Sequence, residues 1–301
     1  MRLTGLHLLL TYECNLECDH CFVWGDTGQS GTMTAAVLEE ILKQAADAGP
    51  IEWIYFEGGE PFLYYALLRR GVRRATELGF KVGLVSNAYW ATSPEDASEW
   101  LRDLTGSVQD LALSQDPYHG EEDQARRVGN ACRAARERGI PADVIRISVP
   151  EAAGGSAALG QLPAGESAVM YRGRAAVKLA GRASPRPWAE FTACPSEDLR
   201  EPGRVHVDPF GNLHLCQGIV LGNLLQRPLK EICASYDPNA HPIAGPLLAG
   251  GPAELARGHR LPLAEGYADA CHLCYEARSA LRPRYPGILA PAQMYGSPAG
   301  G

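Results

Sequence analysis

Residues 14–21 read CNLECDHC and place thiols at Cys14, Cys18 and Cys21. Such soft ligands suit zinc or an iron–sulfur cluster. Either centre normally takes four ligands. Three leave one metal position open, and an open position is where a small molecule can bind and react. A second group follows at Cys194, Cys216, Cys271 and Cys274, the last two in CHLC. Four thiols saturate a centre, which leaves electron transfer or structure as its work. The spacing of this second group is also compatible with structural zinc. For the first group, zinc completed by His20 or His7 is the plain alternative. Cys132 and Cys233 stand on helical segments and read as small buried hydrophobes.

The bulk numbers narrow the class. A disulfide framework fits poorly: the chain has 301 residues and nine cysteines, an odd count, and no export signal. Net charge is −7, with no basic block or basic–aromatic stripe, so nucleic acid is not favoured as a partner. The run LTGLHLLLTY is short of a membrane span and reads as a buried strand. A cytoplasmic location with no membrane partner is expected.

The first half must position the cysteines, and it alternates strand and helix. Strands are expected at 3–11, 51–57, 81–86, 108–114 and 142–149, with helices at 34–48, 62–78, 93–104 and 121–138. Thr34 can cap the first helix and Gly49 stop it. A sixth strand is expected near 167–172. This cadence implies parallel βα units closing part of a barrel, with chemistry at the C-terminal ends of the strands. Cys14 falls there, as do GGEP (58–61), Ser86 and Asn87, Ser114 and Asp116, and Glu151. The small-residue stretch 152–166 reads as a loop. Residues 204–216 alternate about a DPFGN turn and predict a hairpin. Helices are expected at 229–235, 245–257 and 270–282, then an extended Pro/Gly-rich tail.

CNLECDHCF, with an aromatic residue after the third cysteine, resembles the signature of the radical S-adenosylmethionine (radical SAM) enzymes. GGEP at the end of the second strand resembles that family's SAM-amine motif. The resemblance covers roughly residues 5–150. It implies a [4Fe-4S] cluster on Cys14, Cys18 and Cys21 whose open iron holds SAM. Cleavage of SAM then gives a 5′-deoxyadenosyl radical that takes a hydrogen atom from substrate. It further implies cofactor contacts from Phe22, Gly58, Gly59, Glu60, Pro61, Ser86, Asn87 and Ser114. In this reading the two glycines admit close backbone approach to the ligand, and Glu60 supplies negative charge beside an ammonium. Ser114 and Asp116 match part of an S-x-D-G pattern, with Pro117 in place of the glycine. The four later cysteines, with GNLHLC and CHLC, resemble the auxiliary-cluster domains called SPASM and, in shortened form, twitch. This implies one auxiliary [4Fe-4S] cluster.

The expected fold is therefore α/β: a partial (β/α)6 barrel core over 1–165, a last strand and connection over 166–190, a small hairpin-plus-helix iron–sulfur domain over 191–282, and a tail over 283–301. Asp116, His119 and Glu151 are the candidates for catalytic acid–base work at the barrel mouth. His206 and His214 are expected at the surface or beside the auxiliary centre. The expected activity is reductive SAM cleavage and hydrogen abstraction, with an oxidative outcome on a ribosomally made peptide or a small metabolite. An external flavodoxin or ferredoxin would donate the electron. The barrel begins almost at residue 3, which leaves no domain before it to grip a leader peptide. Activation of a glycyl-radical enzyme is an alternative, and a non-enzymatic iron–sulfur carrier or redox sensor is another.

Overall fold

A computed structural model describes residues 1–120, 122–151 and 165–297. Most of the loop expected at 152–166 lies outside them. The βα cadence is present: β1 (Gly5–Leu9), α1 (Ala35–Ala48), β2 (Trp53–Glu57), α2 (Tyr65–Glu77), β3 (Lys81–Ser86), α3 (Pro94–Arg102), β4 (Asp110–Ser114), α4 (Glu122–Glu137), β5 (Ala142–Ile147). Local chemistry sets the boundaries. The Thr34 hydroxyl accepts from the Val37 amide to start α1, and Gly49, at φ 90°, ends it. Ser93 caps α3, with Pro94 at its tolerated first position. Glu60 caps a short 3-10 turn, Pro61–Tyr64, that precedes α2.

The strands run parallel from β1 to β5, and β6 (Gly165–Ser167) adds to β5 in the same sense. The sixth strand thus lies earlier than 167–172. Val169 and Tyr171 instead pack with Ala175 and Leu179 beside α5 (Arg174–Lys178). Leu6 and Leu8 of β1, Ile54 and Phe56 of β2, and Leu38, Ile41 and Leu42 of α1 share the main core between sheet and helices. Each such side chain, fully buried, contributes about 1.5–3 kcal/mol. Strand alternation then sends His7 and Leu9, Tyr55 and Glu57 to the opposite, inner face.

The hairpin expected at 204–216 is present, with a sheet partner that the sequence does not announce. After the two-residue β7 (Arg186–Pro187) come β8 (Arg204–Val207), β9 (Asn212–Cys216) and β10 (Ile219–Asn223). β8 pairs with β1 in parallel, so the hairpin extends the barrel sheet to the order β10-β9-β8-β1-β2-β3-β4-β5-β6. Among the described residues the barrel stays open. α6 (Leu229–Ser235) and α7 (Ala244–Gly258) follow, the latter broken by non-helical backbone at Gly250 and Gly251. β11 (Gly266–Tyr267) pairs with β7, and α8 (Ala270–Leu281) packs on α7. The tail is not simply extended: Ala292–Tyr295 forms a 3-10 turn, Met294 is buried, and the Tyr295 hydroxyl donates to the Gly218 carbonyl. Among the described residues, no helix is long and apolar enough to cross a membrane.

Candidate functional site

The cysteine loop leaves the end of β1 and covers the C-terminal ends of its neighbours. Backbone bonds anchor it: Cys14 N donates to Asp26 O, Gly59 N to Thr11 O and Glu60 N to Glu13 O. Both glycines of GGEP are forced by this contact. Gly58 sits at φ 141°, and a Cβ there would lie 2.5 Å from the Thr11 carbonyl oxygen. A Cβ on Gly59 would lie 2.0 Å from that of Glu13. The close approach they allow is thus to the cysteine loop's own backbone.

Two of the three thiol sulfurs already face donors. Leu16 N lies 3.4 Å from Cys14 Sγ, Asn87 Nδ2 3.6 Å from the same sulfur, and Gly25 N 3.2 Å from Cys21 Sγ. Burial pushes the Cys14 thiol up to about 12, and raises Cys18 and Cys21 as well. A bound metal would favour the ligating thiolate forms. A residue that the sequence did not announce supplies positive charge. Arg174, only 1% exposed, donates to the carbonyls of Cys18 and Gly25 and pairs with Asp26 at 2.9 Å. Gly173 makes room for it: its φ is 59°, and a Cβ would lie 2.6 Å from the Cys21 carbonyl oxygen.

Glu60 is fully buried. Its carboxylate accepts from Phe62 N at 3.0 Å, Ser86 Oγ at 3.0 Å and Asn87 N at 2.8 Å. The negative charge expected beside a ligand ammonium is thus turned into the wall, where it ties GGEP to the turn after β3. Burial, opposed by those three bonds, raises its carboxyl to about 7. The Ser86 hydroxyl is likewise occupied, accepting from Ala88 N and from Trp90 Nε1. Asn87 reaches toward the cysteine loop and donates to Asn15 Oδ1 at 2.9 Å. Gln124 of α4, buried and unannounced by the sequence, bridges the Asn87 and Ser114 carbonyls at 2.7 Å each.

Asp116, His119 and His20 form one cluster. His119 Nδ1 is 2.7 Å from Asp116 Oδ1, and His20 Nε2 is 3.4 Å from Oδ2. Burial alone would raise the Asp116 carboxyl, but the two histidines outweigh it and hold it below the usual carboxylate range. Glu151 does not join them. It is exposed and forms a bidentate pair with Arg182 at 2.9 and 2.8 Å.

The second cysteine group lines one cavity. Cys194, Cys216, Cys271 and Cys274 share it with Arg172 and Arg278. Cys216 ends β9, and Cys271 and Cys274 lie about one turn apart near the start of α8, which Asp269 caps. Arg172 pairs with Glu197 at 3.0 Å and places Nη1 3.9 Å from Cys216 Sγ. Arg278 is 2% exposed. Its hydrogen bonds go to the carbonyls of Cys274 and Gln217, and it forms no ion pair among the described residues. The guanidinium also lies 5.9 Å from the ring centroids of Tyr275 and Tyr295. Burial pushes the Cys216 thiol up to about 12, against the pull of Arg278 and Arg172.

Thiol spacing bears on the kind of centre. A tetrahedral zinc would hold its thiolates about 3.8 Å apart. Among the described residues, no group of three ligand atoms mutually within 4.8 Å includes a cysteine. Neither group is gathered around a single-ion sphere among the described residues. Arg172 also lies over the Phe22 ring at 5.7 Å, so Phe22 and Arg172 stand between the two groups. His214 is fully buried on Asp208 rather than exposed, and His206 lies on the inner face beside Phe22.

Residues 8–149 match the Radical SAM superfamily. The chain carries a radical SAM domain. It is 27% identical over 129 residues to YydG of Bacillus subtilis, assigned to peptide biosynthesis, covering 42% of this chain and 40% of YydG. It is 31% identical over 107 residues to the tungsten-containing aldehyde ferredoxin oxidoreductase cofactor-modifying protein of Pyrococcus furiosus, covering 35% of this chain and 28% of that protein. The matched region spans less than half the length of either relative. The fold is similar to that of Streptococcus suis SuiB bound to its precursor peptide SuiA: TM-score 0.55, 14% identity, 90% of this chain and 76% of that one. SuiB bound to S-adenosylmethionine gives a TM-score of 0.52 at 13% identity, covering 85% of this chain and 74% of that one.

Proposed function

We propose that the protein is a radical SAM enzyme that modifies a peptide oxidatively. The observation that carries the reading is the buried three-thiol loop, pinned by Arg174 and strapped by GGEP over the open end of a parallel sheet. When bound, the cluster and SAM supply reductive cleavage of the sulfonium and abstraction of a substrate hydrogen atom. Cys14, Cys18 and Cys21 would hold three irons. The glycines of GGEP and the bridge from Gln124 would fix the walls, and Asn87 would present its amide beside Cys14. Asp116, His20 and His119 offer proton-handling capacity at the barrel mouth. Phe22 would serve as the aromatic wall at the nucleotide.

Cys194, Cys216, Cys271 and Cys274 would hold one auxiliary [4Fe-4S] cluster that accepts the electron released on substrate oxidation. Arg172 and Arg278 would balance its charge. A flavodoxin or ferredoxin would reduce the first cluster. The peptide class is supported by YydG's assignment to peptide biosynthesis and by the peptide-bound form of SuiB. A small metabolite is the other outcome. The test is anaerobic incubation of cluster-loaded protein with dithionite and SAM. Formation of 5′-deoxyadenosine supports the reading. Its absence from fully loaded, reduced protein refutes it.

A further inference from the structure

On the inner face of the sheet, three side chains from adjacent strands converge. His7 comes from β1, Glu57 from β2 and His206 from β8, and His7 and His206 are register partners. One ligand atom of each lies within 4.8 Å of the other two. Glu57 Oε1 is 2.8 Å from His206 Nε2 and 3.3 Å from His7 Nδ1. These contacts are not aligned as hydrogen bonds. Among the described residues, Nδ1 of His7 and Oε1 of Glu57 have no aligned hydrogen-bond partner, though the residues are only 3% and 4% exposed. An unpaired buried polar atom costs on the order of 1–3 kcal/mol. Two side by side, with His206 Nε2 beside them, form a compact donor set of the size one metal ion takes. The His20, Asp116 and His119 cluster differs. There Asp116 Oδ1 is properly bonded to His119 Nδ1 and Tyr118 N, and Oδ2 to Ile147 N.

We propose that His7, Glu57 and His206 bind a divalent first-row transition-metal ion, separate from both cysteine groups. Two imidazoles and one carboxylate are the facial set that leaves further positions open. The His206 side chain, 20% exposed, marks the open side, and the Phe22 ring stands 5.8 Å from it. Magnesium and calcium, which favour all-oxygen shells, do not suit this set. Burial lowers His7 below the ordinary histidine value, which keeps it in its ligating neutral form. Burial would raise the Glu57 carboxyl, but its contacts with His7 and His206 outweigh that and place it below the usual carboxylate range. Tyr55 stacks on His7 at 4.6 Å and fixes the ring. One group opposes the ion. Arg204 Nη1 lies 3.4 Å from His7 Nε2, which carries the proton once Nδ1 binds metal. A guanidinium cannot accept that proton, so it must turn aside.

The test uses zinc as probe on cluster-loaded protein, kept anaerobic and desalted after exposure. About one zinc per chain should be retained with iron unchanged. Its X-ray absorption should show nitrogen and oxygen at about 2.0–2.1 Å. His206→Ala and Glu57→Gln should each weaken zinc binding at least about tenfold, as for loss of a direct ligand or its partner, and Arg204→Gln should tighten it. No retained zinc, zinc held by sulfur at about 2.3 Å, or retention that survives both substitutions overturns the proposal. If Glu57→Gln fails to fold, His206→Ala, at a partly exposed position, decides alone.

Discussion

Arg174 Nη1 donates to the Cys18 carbonyl oxygen at 2.9 Å across 156 residues of chain. The same guanidinium holds the Gly25 carbonyl and the Asp26 carboxylate. Arg174→Ala would leave Asp26 without its cation and the Gly25 carbonyl without its donor, and would strip the Cys18 carbonyl of one of two donors, the other being Cys21 N. It should destabilise the protein by about 3–5 kcal/mol. Iron per chain should fall from about eight to about four. Chemical denaturation and iron–sulfide analysis read both effects.

Gly59 has no space for a side chain. In Gly59→Ala the Cβ meets the Glu13 carbonyl, and backbone must move. Loss of about 2–4 kcal/mol is expected, in the range of overpacked or strained sites. Assembly of the first cluster should be impaired while the second, on distant residues, still forms. Electron paramagnetic resonance of the reduced protein distinguishes the two.

Glu60 gives a pH signature. Its folded carboxyl is raised to about 7 from the ordinary 4.5. The folded state thus holds a proton that the unfolded state has lost between those values. Its contribution to stability is full below about pH 4.5 and is lost as pH rises through about 7. The loss is about 3 kcal/mol at 1.36 kcal/mol per unit. Urea denaturation of wild type and Glu60→Gln should show the wild type losing more stability across that window, and a parallel pair of curves would contradict the assignment.

Arg278 should tune the second centre. Arg278→Met removes a buried cation beside the cysteine cavity, with similar volume retained. The midpoint potential of that cluster should fall by tens of millivolts, since charge near a cluster sets its potential. Replacing Cys194, Cys216, Cys271 and Cys274 together should instead halve the iron. Redox titration separates tuning from loss.

Much of the first half was legible because its signals are local. Thr34, Ser93 and Gly49 mark helix ends that lie where their capping chemistry puts them. β1 to β5 follow from short apolar runs between those helices. The parallel pairing of β8 with β1 was not legible, since nothing near residue 204 specifies a partner near residue 5. Arg174 and Gln124 were missed for the same reason, and His206 was expected at the surface or beside the auxiliary centre rather than beside His7. Each acts on atoms more than nine residues away, and an isolated Arg, Gln or His looks like any surface residue until the sheet brings its partners in. Glu60 was picked out by its motif, but not the inward turn of its carboxylate, which depends on Ser86 and Asn87 after another strand.

The central claim is that Cys14, Cys18 and Cys21 hold a cluster with one iron free for SAM. It is tested most directly by electron paramagnetic resonance of anoxic, dithionite-reduced protein lacking the four later cysteines, recorded before and after SAM is added. The account predicts a clear change in the g-values of the remaining cluster on SAM addition. An unchanged spectrum from a fully loaded cluster would contradict it.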